Sequence, residues 1–208
     1  MIMQNFNCTR RAKRFTLIGT GIALLCSTTL ANPANLLNNG SFELSTGYNG
    51  GEVSQIRDWS TCEVSYGTVH DVTNVFTEGL DGKQALWVNG TLTQAPTGLK
   101  FKEGVRYLLT FSIGRPLDAP ENQDGINISF RNPETDELLP DSSLFVSSEK
   151  INRIPMGTFQ TFSLSFWAGE LHDSVQVHLR LDDFFDSNDR PGHPSYRLDN
   201  FVLVAEEL

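Results

Sequence analysis

Apolar and polar residues alternate along most of the chain. In VRYLLTFSIG, Tyr107, Leu109, Phe111 and Ile113 fall on one side and Leu108, Thr110 and Ser112 on the other. That period of two belongs to a β-strand with one buried face. GINISFRN sets Ile126, Ile128 and Phe130 against Asn127, Ser129 and Arg131; QTFSLSFWAG sets Phe162, Leu164 and Phe166 against Ser163, Ser165 and Trp167. SVQVHLRL gives Val175, Val177, Leu179 and Leu181 against Gln176, His178 and Arg180, and YRLDNFVLVAE reads as a last strand. KQALWVNGTLTQ is a shorter alternating stretch broken by Asn89-Gly90, a strong turn signal. Clusters such as RPLDAPENQDG and DDFFDSNDRPGHPS lie between and read as loops by their turn chemistry. No window carries a 3.6-residue apolar period, so the pattern predicts an all-β chain, an antiparallel β-sandwich of jelly-roll type. One sheet is expected to turn a polar face to solvent.

The beginning of the chain departs from this pattern. CTRRAKRF (8–15) is basic, TLIGTGIALLC (16–26) is apolar but too short to span a bilayer, and STTLA ends in small residues. Residues 1–31 are therefore expected to be an export signal cut after Ala31, with Ala34 as second choice. Arg10-Arg11 resembles a twin-arginine start, but Lys13-Arg14 stands where that signal prefers apolar residues; Leu25 before Cys26 argues against a lipoprotein signal. No hydrophobic tail follows, so no membrane span is expected. Residues 32–208 read as one domain, secreted to the periplasm or the medium, without internal repeat or linker.

Removing residues 1–31 leaves 12 basic against 25 acidic side chains, a formal charge of −13. That field repels phosphate backbones and sets nucleic acid aside as a partner. Of the three cysteines, Cys8 and Cys26 leave with the signal, so Cys62 stands alone and no intrachain disulfide is expected. His70, His172, His178 and His193 show no metal spacing, and no G-x-S-x-G elbow is present. Asp183, Asp186 and Asp189 recur every third residue, unlike the ligand spacing of an EF-hand, and read as a solvated loop.

Three stretches carry a resemblance. NLLNNGSFE (35–43) followed by DWS (58–60), the middle strand GLKFKEGVRYLLTFSIG and the closing YRLDNFVLVAE together resemble galactose-binding-like jelly-roll carbohydrate-binding modules of the family four, nine and twenty-two type. The resemblance implies that the first and last segments lie side by side. It also implies that Glu43 and Asp199 share a structural calcium ion with backbone carbonyls, a reasonable donor set for a hard cation. Asn200 stands where these modules often have a second Asp.

It further implies a polysaccharide or glycan as partner, held by aromatic faces and planar polar groups on one sheet or its rim. The residues expected to touch it are Trp87, between inward Leu86 and Val88, and Trp167, with Arg115, Asn127, Arg131, Gln176, His178 and Arg180. Trp59 is expected in the core, and Tyr48 and Tyr66 on a rim. The leading expectation is a secreted, non-catalytic carbohydrate-binding domain with no catalytic residues. The alternatives are an extracellular structural or adhesion protein that contacts cell-surface or extracellular proteins or the cell envelope, and a small polysaccharide lyase or hydrolase.

Overall fold

The computed structural model describes residues 34–44, 56–61, 66–119, 121–122, 125–184 and 196–207. All lie within the second of two compact units, Pro33–Leu208. Among the described residues ten strands form two five-stranded sheets. In chain order they are β1 (Ser60–Thr61), β2 (Tyr66–Asp71), β3 (Gln84–Asn89), β4 (Thr91–Gln94), β5 (Arg106–Arg115), β6 (Gly125–Arg131), β7 (Leu138–Val146), β8 (Thr158–Trp167), β9 (Leu179–Phe184) and β10 (Arg197–Glu206). The first sheet has the order β1-β4-β9-β6-β7 and the second β2-β3-β10-β5-β8, with every strand pair antiparallel. This is the expected β-sandwich.

The core lies between the sheets and is built by the alternation. Leu86, Leu109, Phe111, Ile113 and Leu203 of one sheet and Leu92, Ile126, Ile128, Phe130, Leu179 and Leu181 of the other expose no surface. Burying a side chain of this size contributes about 1.5–3 kcal/mol before entropy is counted. Trp59 is buried as expected, with its indole N–H donating to Asn39 O at 3.2 Å. A smaller cluster of Val72, Phe76 and Ala85 packs with Phe159 outside the second sheet.

Some elements differ from the sequence pattern. Asn89-Gly90 makes no hairpin: β3 pairs with β2 and β10, β4 with β1 and β9, so the chain crosses there between sheets. Leu86 and Val88 then face the core from one layer and Leu92 from the other. The described residues also include one short helix, α1 (Ser148–Asn152), capped by the Ser147 side chain, and a 3-10 turn, Glu170–His172. Five residues are too few for a helical period to show. β7 went unread because Pro140 and Asp141 interrupt LLPDSSLFV; a strand at a sheet edge tolerates both.

The opening segment runs beside β10. Leu36 N–H donates to Leu203 O at 2.8 Å, Phe201 N–H to Gly40 O at 2.9 Å, and the Asn35 side chain joins Phe201 O and Leu203 N. β10 has a register shift between Asp199 and Val202, with Asn200 left-handed at φ 53°. Asp199, which the register places opposite Ser112, is fully buried there.

Candidate functional site

Five of the eight expected contact residues meet on the outer face of the first sheet. Asn127 stands opposite Asp182 and Ser129 opposite Arg180 across β6 and β9. Arg131 N–H donates to His178 O at 3.0 Å, extending that ladder. Gln176 bridges Lys100 one step further and lines an open polar cleft of about 420 Å³ with Lys100, Asn132, Glu134, Asp173 and Ser174.

Arg180 holds this face together. Its Nε donates to both Asp182 oxygens at 2.8 and 2.9 Å, and its Nη1 to both Asp136 oxygens at 3.0 and 2.9 Å. Burial alone would lower the guanidinium pKa, but the hydrogen bonds and charges of Asp182 and Asp136 raise it. Thr91 Oγ donates to Asp182 at 2.6 Å, and Arg131 Nη1 to Asp136 O at 2.7 Å. Burial lowers the His178 pKa against the pull of Asp136, with Arg180 and Arg131 adding to the lowering, so the imidazole is neutral at pH 7. The guanidinium is therefore committed to two carboxylates, a scaffold for the sheet rather than an open pair of donors.

Trp87, Trp167 and Arg115 belong to the other sheet and do not join this face. Trp87 is half-buried opposite Thr68, between fully buried Leu86 and Val88. Trp167 ends β8 half-exposed, opposite Arg106. Arg115 ends β5 and donates to Asn152 O at 2.9 Å, tying the sheet to α1. Tyr48 and His193 lie outside the described residues, as do Cys62, Asp186 and Asp189. Tyr66 falls in β2.

Two further sites are built from carboxylates. Asp183 corrects the reading of its segment as a solvated loop. Strand β9 runs on through Asp183, opposite Ile126, so the inward set Leu179, Leu181 continues with an acid. Asp183 is buried and accepts the Tyr196 hydroxyl at 2.6 Å, while Tyr196 is fully buried just before β10. The phenol thus spans from one sheet to a carboxylate on the other, at the end where β9 stops and β10 starts. Alternation along LRLDD carried this signal; its partner, thirteen residues on, did not show in the sequence.

The second site joins the two ends of the domain. Glu43 Oε1 accepts the N–H groups of Lys83 and Gln84 at 2.9 and 2.6 Å, and Asp199 Oδ2 accepts Asp81 N–H at 2.8 Å. Burial, then the charges of Asp81 and Glu43, push the Asp199 carboxyl up to about 7, against its hydrogen bonds to Asp81 and Asn200. Gly82 gives Glu43 its place: a Cβ on Gly82 would lie 2.5 Å from the Glu43 carboxyl carbon. Mutually repelling carboxylates around a buried acid fit a hard cation, with main-chain carbonyls completing its shell. Among the described residues no three His, Cys, Asp or Glu side chains form a metal-holding group, so such an ion would rest on few side-chain ligands.

Comparison with known proteins decides the family. The model of the HpiC1 cyclase family, HpiC1-like, matches residues 34–200. The chain belongs to the HpiC1-like family. Among solved structures, the Stig cyclase Fisc from Fischerella sp. TAU, in complex with (3Z)-3-(1-methyl-2-pyrrolidinylidene)-3H-indole, is similar at 17% identity and a TM-score of 0.55, covering 83% of this chain and 96% of that one. A cyclase from Fischerella sp. TAU in complex with 4-(1H-indol-3-yl)butan-2-one gives 17% identity and a TM-score of 0.55 over 82% and 96%. The CBM22-1 xylan-binding domain of Paenibacillus barcinonensis Xyn10C aligns at 13% identity, a TM-score of 0.41, over 71% and 85%. No curated protein sequence matches the chain.

These findings correct the functional expectation. The expected jelly-roll sandwich stands, but membership of a cyclase family overturns the non-catalytic carbohydrate-binding domain. One fold can host unrelated functions, and end motifs that report strand pairing do not say which.

Proposed function

We propose that the HpiC1-like chain is an enzyme that closes a ring in a small unsaturated aromatic molecule. The observation that carries this reading is the cyclase-family match over residues 34–200. Both ligands named for the Fischerella structures carry a three-substituted indole, and we extend that class to this chain as its substrate. An acid-initiated closure delivers a proton to one carbon, forms the ring bond from the π electrons and releases a proton from another carbon, so the product is an isomer. Such chemistry needs a positioned acid sheltered from water. In this reading Asp183 is that acid, and the Tyr196 hydroxyl orients it through their 2.6 Å bond.

Incubation with a panel of three-alkenyl indoles tests this, read by chromatography and by loss of alkene proton resonances at unchanged mass. The wild type is expected to form an isomer. Asp183→Asn, which keeps a partner for Tyr196, should slow the reaction by about 10²–10⁴-fold while the protein still melts cooperatively. No isomer from the wild type across the panel would sink the reading, and an unslowed Asp183→Asn would remove Asp183 from it.

We also propose that Glu43 and Asp199 hold a structural calcium ion, supported by the crowded carboxylates around buried Asp199. Export is proposed on the basic and apolar segments before Ala31; N-terminal sequencing of the exported protein should then begin at Asn32.

A further inference from the structure

The inward row of β5, Tyr107, Leu109, Phe111 and Ile113, is buried, and its next member is Arg115. A guanidinium beside a core is costly unless its donors are met. The Arg115 side chain reaches towards the first sheet: its Nη1 donates at 2.9 Å to Asn152 O, at the end of α1, which follows β7. One step beyond the Arg197–Gly114 pair, Tyr196 comes level with Arg115, and its hydroxyl crosses to Asp183 near the end of β9. Arg115, Tyr196 and Asp183 therefore close three inward rows at one end of the sandwich.

The donors of Arg115 are not used up. Among the described residues the bond to Asn152 O is its one hydrogen bond, and its Nε is buried without a partner. Arg57, Arg106, Arg131, Arg153 and Arg180 each face a carboxylate, but none of the described acids pairs with Arg115. Arg197 forms no such pair either, but it alternates to the outer face, opposite Gly114 and away from Asp183.

We propose that Arg115 binds a carboxylate of the substrate, so that the ring closure acts on an acidic indole. This rests on the reading of Asp183 as the proton donor and names the substrate class of that same site. Proton delivery leaves positive charge on the substrate, and an unbalanced guanidinium at the same end of the core opposes it where screening is poor. A carboxylate on the substrate balances Arg115, whose planar fork of N–H donors takes it in a bidentate pair. Anchoring the acidic end also fixes where the alkene lies relative to Asp183. The chain carries −9, so no broad field draws an anion in, and the preference rests on this one side chain.

Titration calorimetry on the purified chain tests this with two unreactive ligands of equal length, indole-3-butyrate and the matching alcohol, 3-(4-hydroxybutyl)indole. The wild type should bind the acid about 10- to 100-fold more tightly than the alcohol, as expected of a hydrogen bond between charged groups. Arg115→Gln should bind the two alike. Arg115→Lys, which keeps the charge without the fork, should show an intermediate preference, and it carries the comparison if Arg115→Gln does not fold. Equal affinities in the wild type, binding of neither ligand, or the full preference in both variants would overturn the proposal. Binding is read without turnover, which separates the two readings. A preference for the acid with no isomer from any indole would end the ring closure and leave the carboxylate site standing. Isomer from neutral indoles with equal affinities would do the reverse.

Discussion

Phe201 shows how one residue ties the ends of the chain to the core. It is fully buried, stacked on Phe111 with centroids 5.3 Å apart, and met edge-on by Phe42 and Trp59. Phe42 and Trp59 come from the opening segment and the approach to β1, so this cluster joins sequence regions more than 140 residues apart. Phe201→Ala should cost about 3–5 kcal/mol, read as a lower urea midpoint with an unchanged slope. Gly82 is the second sensitive position, held at φ 83° with its missing Cβ facing the Glu43 carboxylate. Gly82→Ala adds left-handed strain of about 1 kcal/mol and displaces Glu43. Loss of stability should therefore come with weaker calcium binding in titration calorimetry; unaltered binding would show that Glu43 is not a ligand.

At the scale of elements, alternation made the long strands legible because each sheet buries one face. β5, β6, β8 and β10 follow the pattern of Tyr107–Ile113, Ile126–Phe130, Phe162–Phe166 and the closing YRLDNFVLVAE. β7 did not, because its Pro140 and Asp141 look like a loop unless its edge position is known. The candidate acid was legible only in part: alternation along LRLDD turns Asp183 inward, but its turn-rich surroundings read as a loop and its partner Tyr196 did not show. The polar face was legible as a set, since Asn127, Arg131, His178 and Arg180 alternate outward on neighbouring strands; its salt-bridged commitment to Asp136 and Asp182 was not. The irregularity in β10 has an energetic signature of its own. Asn200 at φ 53° sits in a region Asn tolerates and β-branched residues do not. Asn200→Val should destabilise by about 1–3 kcal/mol, whereas Asn200→Gly should leave the urea midpoint near wild type. Equal effects from the two substitutions would remove backbone strain as the reason for Asn there.

For the whole molecule, closure of the sandwich is coupled to protonation of Asp199, and the proposed ion would add to that coupling. In the metal-free chain, burial and the neighbouring Asp81 and Glu43 raise the Asp199 carboxyl from 3.8 to about 7. A carboxyl raised in the folded state binds its proton more tightly than it does unfolded. Its contribution to stability is therefore complete below about pH 4 and is lost as pH rises through 7. The proposed calcium ion would take the deprotonated form, so ion and proton would compete for Asp199 and calcium affinity should fall as pH drops below 7. The melting temperature lost to a chelator should be several degrees near pH 8, where the bound ion contributes by mass action, and should shrink towards pH 5. Asp199→Asn should abolish both the chelator effect and its pH dependence, because an amide neither titrates nor supplies the charge. A chelator effect of the same size at both pH values would separate the ion from Asp199, and no chelator effect at either would remove calcium from the closure of the sandwich. In that case the crowded carboxylates would be left with protonation alone to relieve them, and the metal-free chain would be most stable on the acid side of neutrality.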